Sequence, residues 1–120
     1  MDSSYTNNMK AFAGGGQLSA TPIVTTYSRF TVVATTGYSA VLPGAGPGLE
    51  YVIKNAAANS MNIFPAAASQ GGFPGNGPNF PAGDAINALS VNTAFALAAG
   101  KSVRFFCVAP WTWETLPTTP

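Results

Sequence analysis

Side chains able to do acid–base, nucleophilic or metal chemistry are few in this sequence. In 120 residues there is no histidine, and the candidates are one cysteine and four carboxylates: Cys107, Asp2, Glu50, Asp84 and Glu114. Without histidine, Ser–His and Cys–His catalysis and the commonest metal ligand are excluded, and one cysteine cannot build a thiolate zinc site. A glycosidase needs two facing carboxyl groups, but Glu50 and Glu114 both stand in alternating strand patterns and are expected to be solvated. We therefore expect no enzymatic activity, no metal and no cofactor.

Charged side chains are sparse as well. Only 8% of the residues are charged, against roughly 25% in ordinary soluble domains. The five basic residues stand singly along the chain: Lys10, Arg29, Lys54, Lys101 and Arg104. Nucleic-acid binding needs a clustered basic footprint, and an ordinary strand explains Arg29 beside Tyr27 and Phe30 better than an aromatic and basic surface does. We expect no nucleic-acid partner, and the low charge predicts that much of the surface is buried against other copies or another protein.

The single cysteine, Cys107, lies in the strongly apolar run SVRFFCVA. Free cysteine in such a run usually acts as a small buried hydrophobe, so we expect a buried and unreactive thiol. The polar N-terminal stretch lacks the basic and apolar regions of a signal peptide, and no run approaches the roughly 18–20 apolar residues of a membrane span. These features predict assembly in a cytoplasm without a membrane partner.

The elements that would position these side chains are short strands. Runs rich in β-branched and aromatic residues, or alternating between apolar and polar ones, are PIVTTYSRFTVVATT, YSAVL, LEYVIKN, MNIF, DAINAL, TAFALA, VRFFCVA and WTWETL. Turn signals separate them about every 8–12 residues, which is typical of a sandwich or barrel. We find no exact internal repeat and no convincing helix. The sequence predicts an all-β fold, a single small β-sandwich or barrel of about eight short antiparallel strands.

The first 21 residues are predicted to be an extended N-terminal arm, not part of the core. They contain few large apolar side chains and a triple glycine. One interpretation is a disordered terminus. The other is an arm that orders against a neighbouring molecule, with Tyr5, Met9 and Phe12 as the contacts.

The β-domain is predicted over residues 22–116, followed by a tail over 117–120 whose prolines should end the last strand. A long loop over 67–82 interrupts the domain. Its stretch SQGGFPGNGPNFPAG has eight Gly or Pro among fifteen residues and no charge. Loops of this length in compact domains are usually functional or disordered. We expect it to be an interface element, with these candidate contacts: Phe73, Asn76, Asn79 and Phe80.

Much of the domain, about residues 38–113, resembles small β-rich virion proteins of tailed bacteriophages. The resemblance lies in VLPGAGPGLEYVIKNAAANSMNIFPA and GDAINALSVNTAFALAAGKSVRFFCV, followed by a Trp-containing end. The matching elements are a VLP turn, a V-x-N strand, an N-x-FPA strand, GD-x-IN and LAAGK, at Val41–Pro43, Val52–Asn55, Asn62–Ala66, Gly83–Asn87 and Leu97–Lys101. In these proteins FPA is followed almost directly by GD-x-IN. The resemblance therefore marks residues 67–82 as an insertion between two strands.

The resemblance implies a surface component of the particle. We expect a non-enzymatic virion structural protein, a capsid decoration (cement) protein that stabilises the head by oligomeric contacts and is located on the capsid surface. Its partners would be its own copies, in a homotrimer by analogy with capsid decoration at threefold positions, and the major capsid protein. The alternative is a receptor- or glycan-binding module of a head or tail fibre. Exposed aromatic and amide side chains of the long loop, together with Trp111 and Trp113, would then form its binding surface.

Overall fold

The computed structural model describes residues 5–12, 16–75, 82–87 and 89–118. These residues form ten strands and two single-turn 3-10 helices, Gln17–Ser19 and Ala68–Gln70. The strands are β1 (Tyr5–Lys10), β2 (Thr21–Pro22), β3 (Tyr27–Val32), β4 (Ser39–Val41), β5 (Glu50–Asn55), β6 (Met61–Phe64), β7 (Ala85–Ile86), β8 (Phe95–Leu97), β9 (Ser102–Ala109) and β10 (Thr112–Thr118). Among the described residues no helix has the length and hydrophobicity needed to cross a membrane.

The strands are shared between two sheets, and the chain alternates between them. A six-stranded sheet has the order β1-β3-β5-β9-β10-β7, and a four-stranded sheet has the order β2-β4-β6-β8. β1, β3 and β5 are parallel, as are β2, β4 and β6, so each of the first three coils adds one strand to each sheet. Tyr5, Tyr27 and Val52 share one register, which makes successive coils 22 and 25 residues long. This winding is that of a β-solenoid.

The prediction of an all-β fold is confirmed, but the prediction of antiparallel strands is wrong for the pairs among the first six strands and for β7 with β10, which are parallel. Antiparallel pairing is found for β5 with β9, β9 with β10, and β6 with β8. An alternating pattern predicts a strand with one buried face, but it does not indicate whether the neighbouring strand is parallel or antiparallel. The coils have the same backbone winding but different residue types at equivalent positions, so no repeat was visible in the sequence.

One hydrophobic core lies between the two sheets. Trp113, Phe30 and Phe105 are its largest fully buried side chains from the six-stranded sheet, and Met61 and Ile63 face them from the four-stranded sheet. Burying a large apolar side chain contributes about 1.5–3 kcal/mol.

The prediction of a buried Cys107 is confirmed. Its thiol is 3% exposed, and its Sγ donates a hydrogen bond to the Ala109 carbonyl oxygen at 3.0 Å. Burial raises the pKa of this thiol.

The segment predicted to be an arm forms, over its described residues, the first coil. β1 pairs with β3, and Ala11 and Ala20 are buried, with Ala11 in the core cluster. The expectation that this segment lies outside the core was therefore wrong.

At the other end, β10 continues through Pro117 and Thr118, beyond the predicted start of the tail. β7 pairs with β10 only at Thr112 and Trp113, so the far part of β10 is an edge. A proline is tolerated on a sheet edge.

Candidate functional site

The first coil carries four strongly exposed apolar side chains, which together we call the first-coil surface: Tyr5, Phe12, Leu18 and Val24. Their exposed fractions are 76%, 57%, 71% and 74%, and among the other described large apolar residues only Val108, at 71%, and Leu116, at 50%, are comparable. Single exposed apolar residues are ordinary, so it is the presence of four in one coil that makes the first coil a candidate contact site. Tyr5 and Phe12, both predicted contacts, belong to this surface.

Backbone hydrogen bonds fix Phe12 in place. Its N–H donates to the Ser39 carbonyl oxygen at 3.0 Å, and its own carbonyl oxygen accepts from the Ser39 N–H at 3.2 Å. The ring is left exposed and lines a shallow pocket with Lys10, Thr21 and Pro22. A side chain presented by a paired backbone is ready to bind without first being ordered.

The free edge of β1 is irregular. The pairing with β3 shifts between Thr6 and Met9, and Asn8 has a left-handed backbone with φ 57°. Such bulges hinder the pairing of another strand with the edge. Met9, the third predicted contact of this segment, is partly buried and packs against the core. This irregular edge therefore disfavours a contact made by strand pairing.

The outer face of the six-stranded sheet carries a ladder of residues in register. Across five strands these are Tyr5, Tyr27, Val52, Arg104 and Leu116. Arg104 forms an ion pair with Glu50 on β5. An exposed pair of this kind contributes about 0–1 kcal/mol. The sequence did not reveal this ladder, because only the 22- and 25-residue coil lengths bring its first three members together.

The two carboxylates considered for glycosidase chemistry flank one residue. Glu50 and Glu114 both stand opposite Phe106, on the strands at either side of β9. Their backbones are therefore about 10 Å apart. Glu50 is engaged with Arg104, so it serves the sheet surface as an ion-pair partner. Among the described residues no three His, Cys, Asp or Glu side chains come together where a metal could bind.

Phe73, the predicted contact of the long loop, lies beside Trp111. Their ring centroids are 5.5 Å apart with a 35° interplanar angle. Trp111 follows Pro110 in the turn between β9 and β10 and has φ 67°, a left-handed conformation that costs a bulky residue roughly 1–2 kcal/mol. Strained residues of this kind cluster at functional sites, so the Phe73–Trp111 pair is a second candidate contact. Trp113, in contrast, is fully buried in the core.

The remaining predicted loop contacts, Asn76, Asn79 and Phe80, lie outside the described residues. Of the predicted set the structure therefore leaves Tyr5 and Phe12 exposed on the first coil, turns Met9 partly inward, and places Phe73 beside Trp111.

The Asp84 side chain connects the two described ends of the long loop. Its side chain is fully buried, Oδ2 accepts from the Ala45 N–H at 2.8 Å, and Oδ1 accepts from the Phe73 N–H at 2.9 Å. The two donors lie 39 and 11 residues away along the chain, so these hydrogen bonds are not those of a local turn. Burial raises the pKa of this carboxyl, and the two N–H donors act in the opposite direction. Asp84 is thus a structural link that joins two loops next to the Phe73–Trp111 pair.

Comparisons with protein-family models, with curated proteins and with solved structures found no match to this chain.

Proposed function

We propose that this protein is a non-enzymatic structural protein of a bacteriophage virion, a decoration protein that stabilises the head by contacts between its own copies and with the major capsid protein. The first-coil surface carries this proposal. Four exposed apolar side chains on a coil whose backbone is already paired suit permanent burial in an interface. The resemblance of residues 38–113 to virion surface proteins supplies the partner.

The sparse charge of the chain supports the same function. With 8% charged residues and a net charge of +1, copies repel one another little. On this proposal each copy adds buried interface between neighbouring capsid subunits and stabilises the shell without chemistry. The homotrimer remains our proposed assembly, by analogy with threefold capsid sites. For the architecture we propose a two-sheet sandwich wound as a solenoid over its first three coils.

The test is binding to empty heads of the phage that encodes the chain. We expect saturable binding at a stoichiometry set by the head symmetry, and a loss of at least tenfold in affinity for the double variant Phe12→Ala/Leu18→Ala, since two large apolar contacts are removed. Val108→Ala is the matched control, because Val108 is equally exposed but lies on β9. Normal binding by the double variant, or an equal loss in the control, would contradict the proposal.

The Phe73–Trp111 pair favours one second candidate, a receptor- or glycan-binding module of a head or tail fibre. Half-exposed aromatic rings are suited to stack on sugar rings, and Trp111 is held in a strained turn. On this reading the protein binds host cells or glycans and not empty heads. Phe73→Ala with Trp111→Gly would then abolish that binding, while Phe12→Ala would leave it unchanged.

A further inference from the structure

A groove on the outer face of the six-stranded sheet combines two cations with two tyrosines. It has a volume of about 320 Å³ and runs across the first three strands of the sheet, β1, β3 and β5. The residues that line it are Tyr5, Thr6, Asn7, Tyr27, Ser28, Arg29, Val52 and Lys54. It lies at the opposite end of β9 from the turn that holds Trp111, since Lys54 pairs with Ser102 at the start of that strand.

The two cations of the groove stand directly opposite each other. Arg29 on β3 is the cross-strand partner of Lys54 on β5. Like charges in this position destabilise a sheet. A ligand that carries negative charge would turn this repulsion into attraction.

Neither cation is neutralised by a carboxylate among the described residues. The Arg29 Nη1 donates to the Asn7 Oδ1 at 3.0 Å, and the Lys54 Nζ donates to the Gly100 carbonyl oxygen at 2.7 Å. Both acceptors are neutral, so they orient the cations and leave their charge uncompensated. Glu50, which shares the outer face of β5 with Lys54, is engaged with Arg104.

The tyrosines give the groove an aromatic floor. Tyr5 and Tyr27 are in register on neighbouring strands, and both side chains are exposed. A tyrosine offers an apolar ring face together with a hydroxyl that donates and accepts hydrogen bonds. Rings of this kind stack on sugars, and the Asn7 amide beside them adds a donor for a sugar hydroxyl.

We propose that this groove binds an anionic saccharide. Its carboxylate or sulfate group is held by Arg29 and Lys54, and its ring lies against Tyr27 and Tyr5. A peptide added to the edge of β1 fits less well, because the irregular backbone at Asn8 interrupts that edge. A nucleic acid would need more than two cations. This inference does not depend on the virion assignment.

The test measures binding of three polysaccharides to the full chain by titration calorimetry. Polygalacturonate supplies carboxylates, dextran sulfate supplies sulfates, and dextran is neutral. We expect one or both charged polymers to bind, with an affinity that falls as salt is raised, and dextran not to bind. The charged polymer that binds identifies the anion. Equal binding of dextran, or tighter binding of single-stranded DNA than of either charged polymer, would overturn the proposal.

Variants locate the site. Arg29→Gln/Lys54→Gln should weaken binding of the charged polymer at least about tenfold, since two charge-assisted contacts are lost. Tyr27→Ala should weaken it severalfold. Lys101→Gln is the matched control, because Lys101 is exposed but does not line the groove. Circular dichroism would check that each variant is folded. A double variant that is folded but binds like the wild type would overturn the proposal.

Discussion

Asp84 is the residue on which the described loops around Phe73 depend. A buried carboxylate that accepts two backbone N–H groups cannot be replaced without leaving a donor unpaired. We predict that Asp84→Asn lowers the free energy of unfolding by about 1–3 kcal/mol at neutral pH, because the amide retains one acceptor oxygen for two donors. Urea unfolding measures it. Glu114→Gln, on the half-buried outer face of β10, is the control and should change stability by less than about 0.5 kcal/mol.

The pH dependence of Asp84 has a definite sign. Its pKa in the folded chain is raised above the ordinary value of 3.8, so the folded state binds more protons than the unfolded state in the window above that value. The contribution of Asp84 to stability is therefore present at low pH and is lost as the pH rises through the folded pKa. We predict that the stability difference between the wild type and Asp84→Asn widens as the pH falls from 7 towards 4. A difference that narrows would show that the folded pKa is lowered.

Trp111 provides a second test at this scale. Glycine adopts φ 67° without strain, whereas alanine does not. Both substitutions lose the contact with Phe73 equally, so we predict that Trp111→Gly is more stable than Trp111→Ala by about 1 kcal/mol. At most exposed positions the alanine variant is the more stable of the two. Chemical denaturation of the two variants measures this difference in the free energy of unfolding. Equal values for Trp111→Gly and Trp111→Ala would mean that the turn changes its conformation in the variants.

At the scale of the elements, two loops meet with backbones in close approach. A Cβ at Gly44 would overlap the Gly71 carbonyl oxygen, while one at Gly46 in the same loop would only touch a Leu49 methyl at 3.7 Å. We predict that Gly44→Ala costs about 1–3 kcal/mol, as overpacking does, and that Gly46→Ala is close to neutral. Thermal unfolding of the pair measures the difference. Equal effects would show that the two loops separate easily.

Strand identity was largely predictable from the sequence, whereas strand partners were not. The alternation in LEYVIKN indicated a half-buried strand, and in the structure Tyr51 and Ile53 do face the core, although Leu49 is exposed. The apolar run around Cys107 correctly indicated burial. Pairing Tyr5 with Tyr27, or Arg29 with Lys54, requires the coil length, which no recurring residue marks. Tyr5 and Phe12 were therefore found as candidates by type, while the groove between coils was not found at all.

At the scale of the whole molecule, the first coil both completes the core and presents the proposed interface. In a solenoid each coil is stabilised by its neighbours, so removing one exposes the next. We predict that deleting residues 1–12 lowers the free energy of unfolding by more than about 2 kcal/mol, because Met9 and Ala11 leave the core and β3 becomes an edge. Loss of head binding after such a deletion would therefore not show that the deleted residues contact the head. An unchanged stability would support a separate arm.

The molecule is a flat slab of 40 × 36 × 21 Å, and its first-coil surface and its groove meet at Tyr5. Substitutions at Phe12, Leu18 and Val24 therefore probe the interface, and those at Arg29 and Lys54 probe the groove. This separation allows head binding and saccharide binding to fail independently.

The most direct measurement for the central claim is hydroxyl-radical footprinting of the free protein and of the protein bound to empty heads. We predict that oxidation of Tyr5, Phe12, Leu18 and Val24 falls severalfold on binding. Val108 and Leu116, which are exposed on the last two strands, serve as internal references and should react equally in both states. Protection of Val108 and Leu116 with unchanged oxidation of the first-coil surface would contradict the claim that the first coil is the interface.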